Sequence, residues 1–253
     1  MTVPSQTPSF GRRFWPPLAA GWLGVAALPL IVVPILQARM ATGPAPALSL
    51  PAMVALSLIQ PALLVAVGAV LGATFAPRLG FASHLAGLNV RGSLPRELPL
   101  AIASGLVMGA AIMAVDRLVF GSVYTGAPPR GIAVDLISGV LYGGLAEEVM
   151  MRWGLMSLLA RIGARLFDRS LDAPSTRVTI ASIIVVSLIF AAGHLPAAAT
   201  MGPLGVAAVA RVLLLNCGAG FLFGWLFWRR SLEAAMFAHA SVHVAFAAAR
   251  LVA

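Results

Sequence analysis

The sequence has few charged residues, no lysine and a single cysteine. Only 10% of its 253 residues are charged, 60% are hydrophobic, and the mean hydropathy is +0.96. A soluble globular domain carries about 25% charged residues. The deficit excludes an ordinary soluble domain and predicts an integral membrane protein that crosses the bilayer several times.

The lone cysteine, Cys217, lies in an apolar stretch. One thiol cannot form an internal disulfide or a cysteine-based zinc site, so we interpret Cys217 as a packing residue. The sequence also lacks a His-Glu-x-x-His pair, which is the usual zinc-protease signature. We therefore expect no cofactor, and zinc held by glutamates and histidines is the less favoured alternative.

The positive charge of the chain comes from arginine alone. There are 17 arginines against 8 acidic residues, which gives a formal net charge of +9. In a soluble protein this balance would suggest a nucleic-acid partner. Here the arginines occupy the short gaps between apolar runs, where they act as topology signals. We expect no nucleic-acid partner, and the arginine- and alanine-rich composition hints at a bacterial source.

Seven stretches are long and apolar enough to span a membrane, which takes about 20 residues. They are residues 17–38, 49–75, 98–120, 132–158, 178–195, 204–228 and 232–250. The predicted fold is an all-α transmembrane bundle of about seven spans. An eighth helix or half-inserted segment near 196–204 is the alternative. Residues 1–131 form spans one to three, and 132–253 form the candidate catalytic part of one integral membrane domain.

Arginines concentrate in alternate gaps between the spans. These are Arg12 and Arg13; Arg78, Arg91 and Arg96; Arg161, Arg165, Arg169 and Arg177; and Arg229 and Arg230. The opposite side holds only Arg39, Arg117, Arg130 and Arg250. The positive-inside rule then predicts a multi-pass protein of the inner membrane, with a cytoplasmic N-terminus and an external C-terminus. The first apolar run is too long for a signal peptide and predicts a retained anchor.

Residues 158–177, LLARIGARLFDRSLDAPSTR, alternate apolar and basic positions at helical spacing. We expect four apolar side chains to face lipid, namely Leu158, Ile162, Leu166 and Phe167. We expect three arginines to face water, namely Arg161, Arg165 and Arg169. The pattern predicts an interfacial helix on the cytoplasmic side, and a solvated loop is the alternative.

Ionisable residues inside spans are costly, so they are candidates for function. In the later spans we single out six of them: Glu147, Glu148, Arg152, His194, His239 and His243. Glu148 and Arg152 are four residues apart and are predicted to pair, whereas Glu147 is rotated by about 100° and points elsewhere. His239 and His243 share one helix face by the same spacing. Carboxyl and imidazole groups that converge suit water activation or metal binding.

Several other polar residues receive structural interpretations. His84 is expected in a surface loop without a functional role, and Asn216 in a helix–helix hydrogen bond. Glu233 begins a helix beside Arg229 and Arg230, so helix-dipole effects explain it. Three further residues are expected at the outer interface: Asp116, Arg117 and Asp135.

Three motifs occur in order in the last four spans. Glu147–Arg152 (EEVMMR) fits E-E-x-x-x-R, Phe190–His194 (FAAGH) fits F-x-x-x-H, and His239–His243 (HASVH) fits H-x-x-x-N/D except for its final histidine. Over roughly residues 132–250 the chain resembles the CAAX-protease and bacteriocin-processing family of intramembrane proteases, which are related to CAAX prenyl endopeptidases. The family usually has an aromatic residue before the arginine and a glycine after it; here Met151 and Trp153 stand there.

The resemblance implies hydrolysis of a peptide bond without a covalent acyl-enzyme. Glu147 would be the general base and would polarise a water molecule together with His194. His239 and His243 would hold the oxyanion, and the motif arginine would keep the second glutamate in place. The implied substrate is a membrane-bound or lipidated protein or peptide, cleaved near the cytoplasmic leaflet.

Two other functional classes stay open. One is a proton-coupled transporter, which the lack of detectable repeats disfavours; the other is a catalytically silent immunity or assembly factor of the same family.

The depths of the candidate side chains, counted along straight helices, differ from one another. His194 would lie about 24 Å into its span, Glu147 about 16 Å and His239 only about 10 Å. The three meet only if the fifth span begins outside the membrane or tilts.

Overall fold

Helices account for nearly all of the regular structure in the computed structural model. It describes residues 7–43, 47–90, 92–121, 123, 131–169, 173–200 and 202–252, and within these ranges no strand is present. The elements are α1 (Phe10–Val25), α2 (Pro29–Thr42), α3 (Leu50–Leu79), α4 (Leu94–Phe120), α5 (Ile132–Ser138), the π-helical segments π1 (Gly139–Glu147) and π2 (Val149–Met156), α6 (Ser157–Leu166), α7 (Thr176–Gly193), α8 (Leu195–Ala199), α9 (Val206–Arg229) and α10 (Leu232–Val252). The predicted all-α class is confirmed.

Six stretches of the described chain are helical, long and apolar enough to cross a membrane. They are Phe10–Thr42, Leu50–Leu79, Leu94–Phe120, Thr176–Ala199, Val206–Arg229 and Leu232–Val252. The remaining predicted span, 132–158, falls on α5, π1, π2 and the start of α6. Its segments are individually short because two π-helical stretches interrupt it. With this stretch the count agrees with about seven, and the protein is a multi-pass membrane protein.

Small residues let the spans approach one another closely, as is usual between transmembrane helices. Gly105 of α4 lies against the backbone of Ala238 in α10, and Gly72 of α3 lies against the indole of Trp153 in π2. A methyl group at either glycine would clash with its neighbour. Trp153 is fully buried. The tryptophan that departs from the family pattern therefore fills the space that a glycine on the neighbouring helix leaves open.

The interfacial segment predicted at 158–177 is helical to Leu166, where α6 ends, and again from Thr176, where α7 begins. Ile162, Leu166 and Phe167 are exposed, as predicted for side chains that face lipid. Arg161 is only 7% exposed, so the expectation that it faces water is wrong. Residues 170–172 of this segment lie outside the described residues, and so do two of the arginines used for topology, Arg91 and Arg130.

A short loop between α3 and α4 fixes the beginning of α10. The Glu233 carboxylate accepts hydrogen bonds from the hydroxyl of Ser83 (2.8 Å) and the backbone N–H groups of His84 (2.9 Å) and Leu85 (3.0 Å). Glu233 is thus an anchor for this loop as well as a residue at a helix start. The His84 side chain is only 17% exposed and lies 3.5 Å from Glu97, so the surface position predicted for it is wrong.

Candidate active site

Glycines in π1 bring this segment into close contact with the two histidines of α10. A Cβ at Gly139 would meet the ring of His243, and one at Gly143 would lie 2.9 Å from the Nε2 atoms of both His239 and His243. A π-helix closes i→i+5 hydrogen bonds and is frequent at functional sites. The glycine-rich run before the glutamates therefore makes room for imidazole rings beside the helix that carries the carboxylates.

Glu148 and Arg152 form a fully buried ion pair, as their spacing predicted. Arg152 donates from Nη1 to Glu148 Oε1 (2.9 Å) and from Nη2 to the backbone carbonyl of Gly220 (3.0 Å). The guanidinium lies over the rings of Phe190 and Phe223, at 4.9 and 5.2 Å from their centroids. Both charged side chains are fully buried. Arg152 thus connects π2 to α7 and α9 and holds Glu148 in one position.

His239 lies between the two glutamates. Its Nδ1 is 2.8 Å from Glu148 Oε1, and its Nε2 is 3.8 Å from Glu147 Oε2. Since Glu148 is paired with Arg152 as a carboxylate, His239 Nδ1 is the donor in the shorter contact. The imidazole stacks on Phe223 with centroids 4.4 Å apart, and on its other side it stacks on His243 at 5.3 Å.

The two adjacent glutamates have different surroundings. The Glu148 side chain is completely buried, whereas that of Glu147 is 17% exposed and lines a cavity. The difference follows from their rotation around the helix, since Glu147 points away from Arg152. One carboxylate is therefore fixed in the protein, and the other is accessible to a molecule in the cavity.

His194 lies where α7 ends and α8 begins. Its Nδ1 lies 2.8 Å from the carbonyl oxygen of Phe190, an acceptor, so Nδ1 carries the proton and the neutral ring presents the Nε2 lone pair. His194 lines the same cavity as Glu147 and His239, and the Phe190 and His239 rings lie 5.9 Å apart. The side chains thus share one cavity despite the difference in depth that helix counting indicates.

The cavity has a volume of about 640 Å³ and extends from these residues to the far ends of their helices. At one end it is lined by Glu147, His194, His239 and His243. At the other end it is lined by two ion pairs, Arg211–Asp116 and Arg250–Asp135. The side chains of these pairs are 25–38% exposed, so the charged end is the more open one.

Sequence reasoning did not single out Arg211, Arg250 or Tyr142, and it gave Asn216 another role. Asn216 lines the cavity and donates to the carbonyl of Val212 in its own helix (2.8 Å), so the predicted helix–helix bond is absent among the described residues. The sequence contained a clue to Arg211, because it is an arginine inside an apolar span. The predicted outer end of that span lies on the same side of the membrane as the outer end of the span that holds Asp116. Tyr142 offered no such clue, because tyrosine is a usual residue of membrane proteins at the interface with water.

The donor set determines which chemistry the site can perform. Across the described residues, no group of three or more histidine, cysteine or acidic side chains is arranged to hold a metal ion. His239 Nδ1 and Glu148 Oε1 already bind each other. Besides the two ion pairs, the titratable groups that line the cavity are a carboxylate, imidazoles and a phenol, and these can take up, donate and return protons to a substrate.

Comparison with known proteins finds a family that matches the part of the chain holding the candidate site. Residues 129–245 match the family described as Type II CAAX prenyl endopeptidase Rce1-like, and the matched range contains all three motifs. The candidate site thus lies within the residues that match this peptidase family. The match covers a little under half of the chain and agrees with the resemblance to the CAAX-protease and bacteriocin-processing family that the motifs indicated. No curated protein and no solved structure gave a match.

Proposed function

We propose that the protein is a glutamate-dependent intramembrane endopeptidase. The observation that carries the proposal is the contrast between the two glutamates. Glu148 is locked by Arg152 and His239, whereas Glu147 faces a cavity next to His239 Nε2. A buried, fixed carboxylate orients its neighbours, and an accessible one suits a general base.

The reaction uses a water molecule held between Glu147 and His194. Glu147 accepts a proton from the water, and the oxygen attacks the carbonyl carbon of the scissile peptide bond. The resulting oxyanion is stabilised from the α10 side by the N–H of His243, while His239 lies beside it with its Nδ1 proton donated to Glu148. Glu147 then returns its proton to the departing nitrogen, the C–N bond breaks, and a carboxylate and an amine are released. No acyl-enzyme forms.

His243 takes the place that the family gives to Asn or Asp. A neutral imidazole can donate one hydrogen bond, as an amide can. His243 makes no hydrogen bond to the described residues, and it lines the cavity with its ring stacked on His239. We therefore assign it the donor role of that motif position.

The proposed substrate is a membrane-bound or lipidated protein or peptide. His239 lies seven residues from the start of α10, on the side that the arginines predict to be cytoplasmic. We therefore place cleavage in the cytoplasmic half of the bilayer, with the N-terminus inside. The cavity itself extends in the other direction, toward Asp116 and Asp135. An extended peptide segment can lie along it with its scissile bond at the buried end.

The decisive experiment replaces Glu147 by Gln, which removes the base with little change in shape. The purified protein in liposomes is given two quenched fluorescent probes, a farnesylated CAAX peptide and a library of peptides on a transmembrane anchor. We expect the wild-type protein to cleave at least one probe and Glu147→Gln to lose that activity by 10²-fold or more, within the range for removal of a general base.

Asp168→Asn is the matched control, because it removes a carboxylate from the loop after α6. It should cleave normally. Full activity in Glu147→Gln, or no cleavage of either probe by the wild-type protein, would contradict the proposal. In that case proton-coupled flux in the same liposomes identifies a transporter. Normal biological activity of Glu147→Gln in cells, without flux, identifies a catalytically silent immunity or assembly factor.

A further inference from the structure

The proposed reaction needs hydrogen-bond donors directed at the oxyanion. Two of the three histidines in the site already donate their N–H to other acceptors. His194 donates from Nδ1 to Phe190, and His239 donates from Nδ1 to Glu148. In the neutral state each of these rings therefore presents a lone pair at Nε2 to the cavity. Of the imidazoles, only His243 has an N–H that the described residues leave free.

A second free donor lies on π1. Tyr142 lines the cavity and is half-buried, and within the described ranges its hydroxyl makes no hydrogen bond. It is also the only tyrosine in those ranges, since Tyr124 lies outside them. A buried phenol normally finds a hydrogen-bond partner. This one faces a cavity of about 640 Å³, where a bound molecule can supply that partner.

The π-helix brings Tyr142 into register with the proposed base. Tyr142 and Glu147 are five residues apart, which is the hydrogen-bonded spacing of a π-helix, so they lie on adjacent turns of one face. Their side chains interact electrostatically and line the same cavity. Gly143, next to Tyr142, lies against the rings of His239 and His243. The phenol, the base and the α10 histidines thus surround one space.

We propose that Tyr142 is a further catalytic residue, whose phenolic O–H donates a hydrogen bond to the oxyanion opposite the N–H of His243. This inference rests on the proposed function. The carbonyl oxygen of the substrate gains negative charge as water attacks, and the two donors approach it from π1 and α10. The bond strengthens as the charge develops, so it lowers the barrier more than it improves substrate binding.

The test is Tyr142→Phe, assayed on whichever of the two quenched peptide probes the wild-type protein cleaves. We expect kcat to fall about 10²-fold, as for loss of one oxyanion donor, with KM changed less than threefold. Tyr124→Phe makes the same atomic deletion elsewhere in the chain and should keep full activity. A tyrosine that only packs would leave kcat unchanged or would raise KM, and either result overturns the inference.

A second measurement does not depend on how well Tyr142→Phe folds. In the Tyr124→Phe background the only tyrosine is Tyr142, so fluorotyrosines can replace it during expression. A more acidic phenol is a stronger donor, and kcat should increase with fluorination while the phenol stays protonated. A flat series overturns the inference. Loss of activity in Glu147→Gln together with a flat series would leave the endopeptidase intact and remove only the role of Tyr142.

Discussion

At the scale of single residues, the candidate site depends on charges that are held in place by specific partners. Arg152 has no exposed surface, and its contacts come from three elements: Glu148, the Gly220 carbonyl and the rings of Phe190 and Phe223. Isolated charges in such surroundings are strongly unfavourable. The pair therefore positions Glu148, and through it His239, without itself facing the cavity.

Replacing Arg152 by Met should destabilise the protein markedly. It leaves the Glu148 carboxylate buried without its cation, and breaking a buried pair in this way costs about 3–5 kcal/mol. Denaturant unfolding in detergent measures the change. Arg165→Met, which removes an exposed arginine one turn beyond Arg161, should change the free energy of unfolding by less than about 0.5 kcal/mol. Equal stability of the two variants would contradict a positioning role for Arg152.

Residue-level features of the site were largely predictable, because they depend on helical spacing and on the free-energy cost of placing ionisable groups in the membrane. The i,i+4 distance predicted the Glu148–Arg152 pair, and the high cost of ionisable groups in the spans singled out the six candidate residues, although the same criterion also applies to Arg211. The partners of Arg211 and Arg250 were not predictable. Their carboxylates, Asp116 and Asp135, lie 95 and 115 residues away along the chain. Contacts across such separations are set by tertiary packing, which leaves no periodic pattern.

At the scale of elements, sequence reasoning missed the two π-helical segments, π1 and π2. They form the middle of the predicted span 132–158, which carries the glutamates. A regular rise of 1.5 Å per residue was used to count depth, but π1 and π2 replace 17 residues of α-helix between Gly139 and Met156 with another geometry. A uniform rise therefore does not describe this segment, and counted depth did not foresee that Glu147 and His194 line one cavity. Glycines at 139, 143 and 144 were visible in the sequence, yet glycine alone does not distinguish a π-helix from a close helix contact.

The contact between π1 and α10 gives a prediction at this scale. Gly143→Ala should reduce kcat about 10²-fold while the protein still folds, because the new methyl group would lie 2.9 Å from the Nε2 atoms of His239 and His243 and would displace both rings. Gly218→Ala is the matched control, since nothing lies within 4 Å of a Cβ at that position in α9. Peptide cleavage and melting temperature are measured for both. Unchanged cleavage by Gly143→Ala would show that catalysis does not depend on the observed positions of the His239 and His243 rings.

At the scale of the whole molecule, the cavity is open at one end and closed at the other. Between the glutamates and the arginine-rich helix ends lies a tightly packed part of the core. Its fully buried members are Phe81, Trp153, Phe227 and Leu232. Toward the other end the cavity continues to half-exposed ion pairs. A molecule that reaches the proposed base therefore enters from the side that carries few arginines.

Cysteine labelling tests this direction of entry, since Cys217 is the only native thiol. In a Cys217→Ser background, Leu136→Cys places a thiol in the cavity and Ala173→Cys places one in the exposed segment before α7. If the arginine-rich ends face the cytoplasm, an impermeant maleimide added to intact cells should label Leu136→Cys, whereas Ala173→Cys should react only after permeabilisation. The reverse pattern would place the open end of the cavity in the cytoplasm and invert the predicted orientation. Labelling of Leu136→Cys from neither side would mean that the cavity is closed to water and would remove the route by which the hydrolytic water arrives.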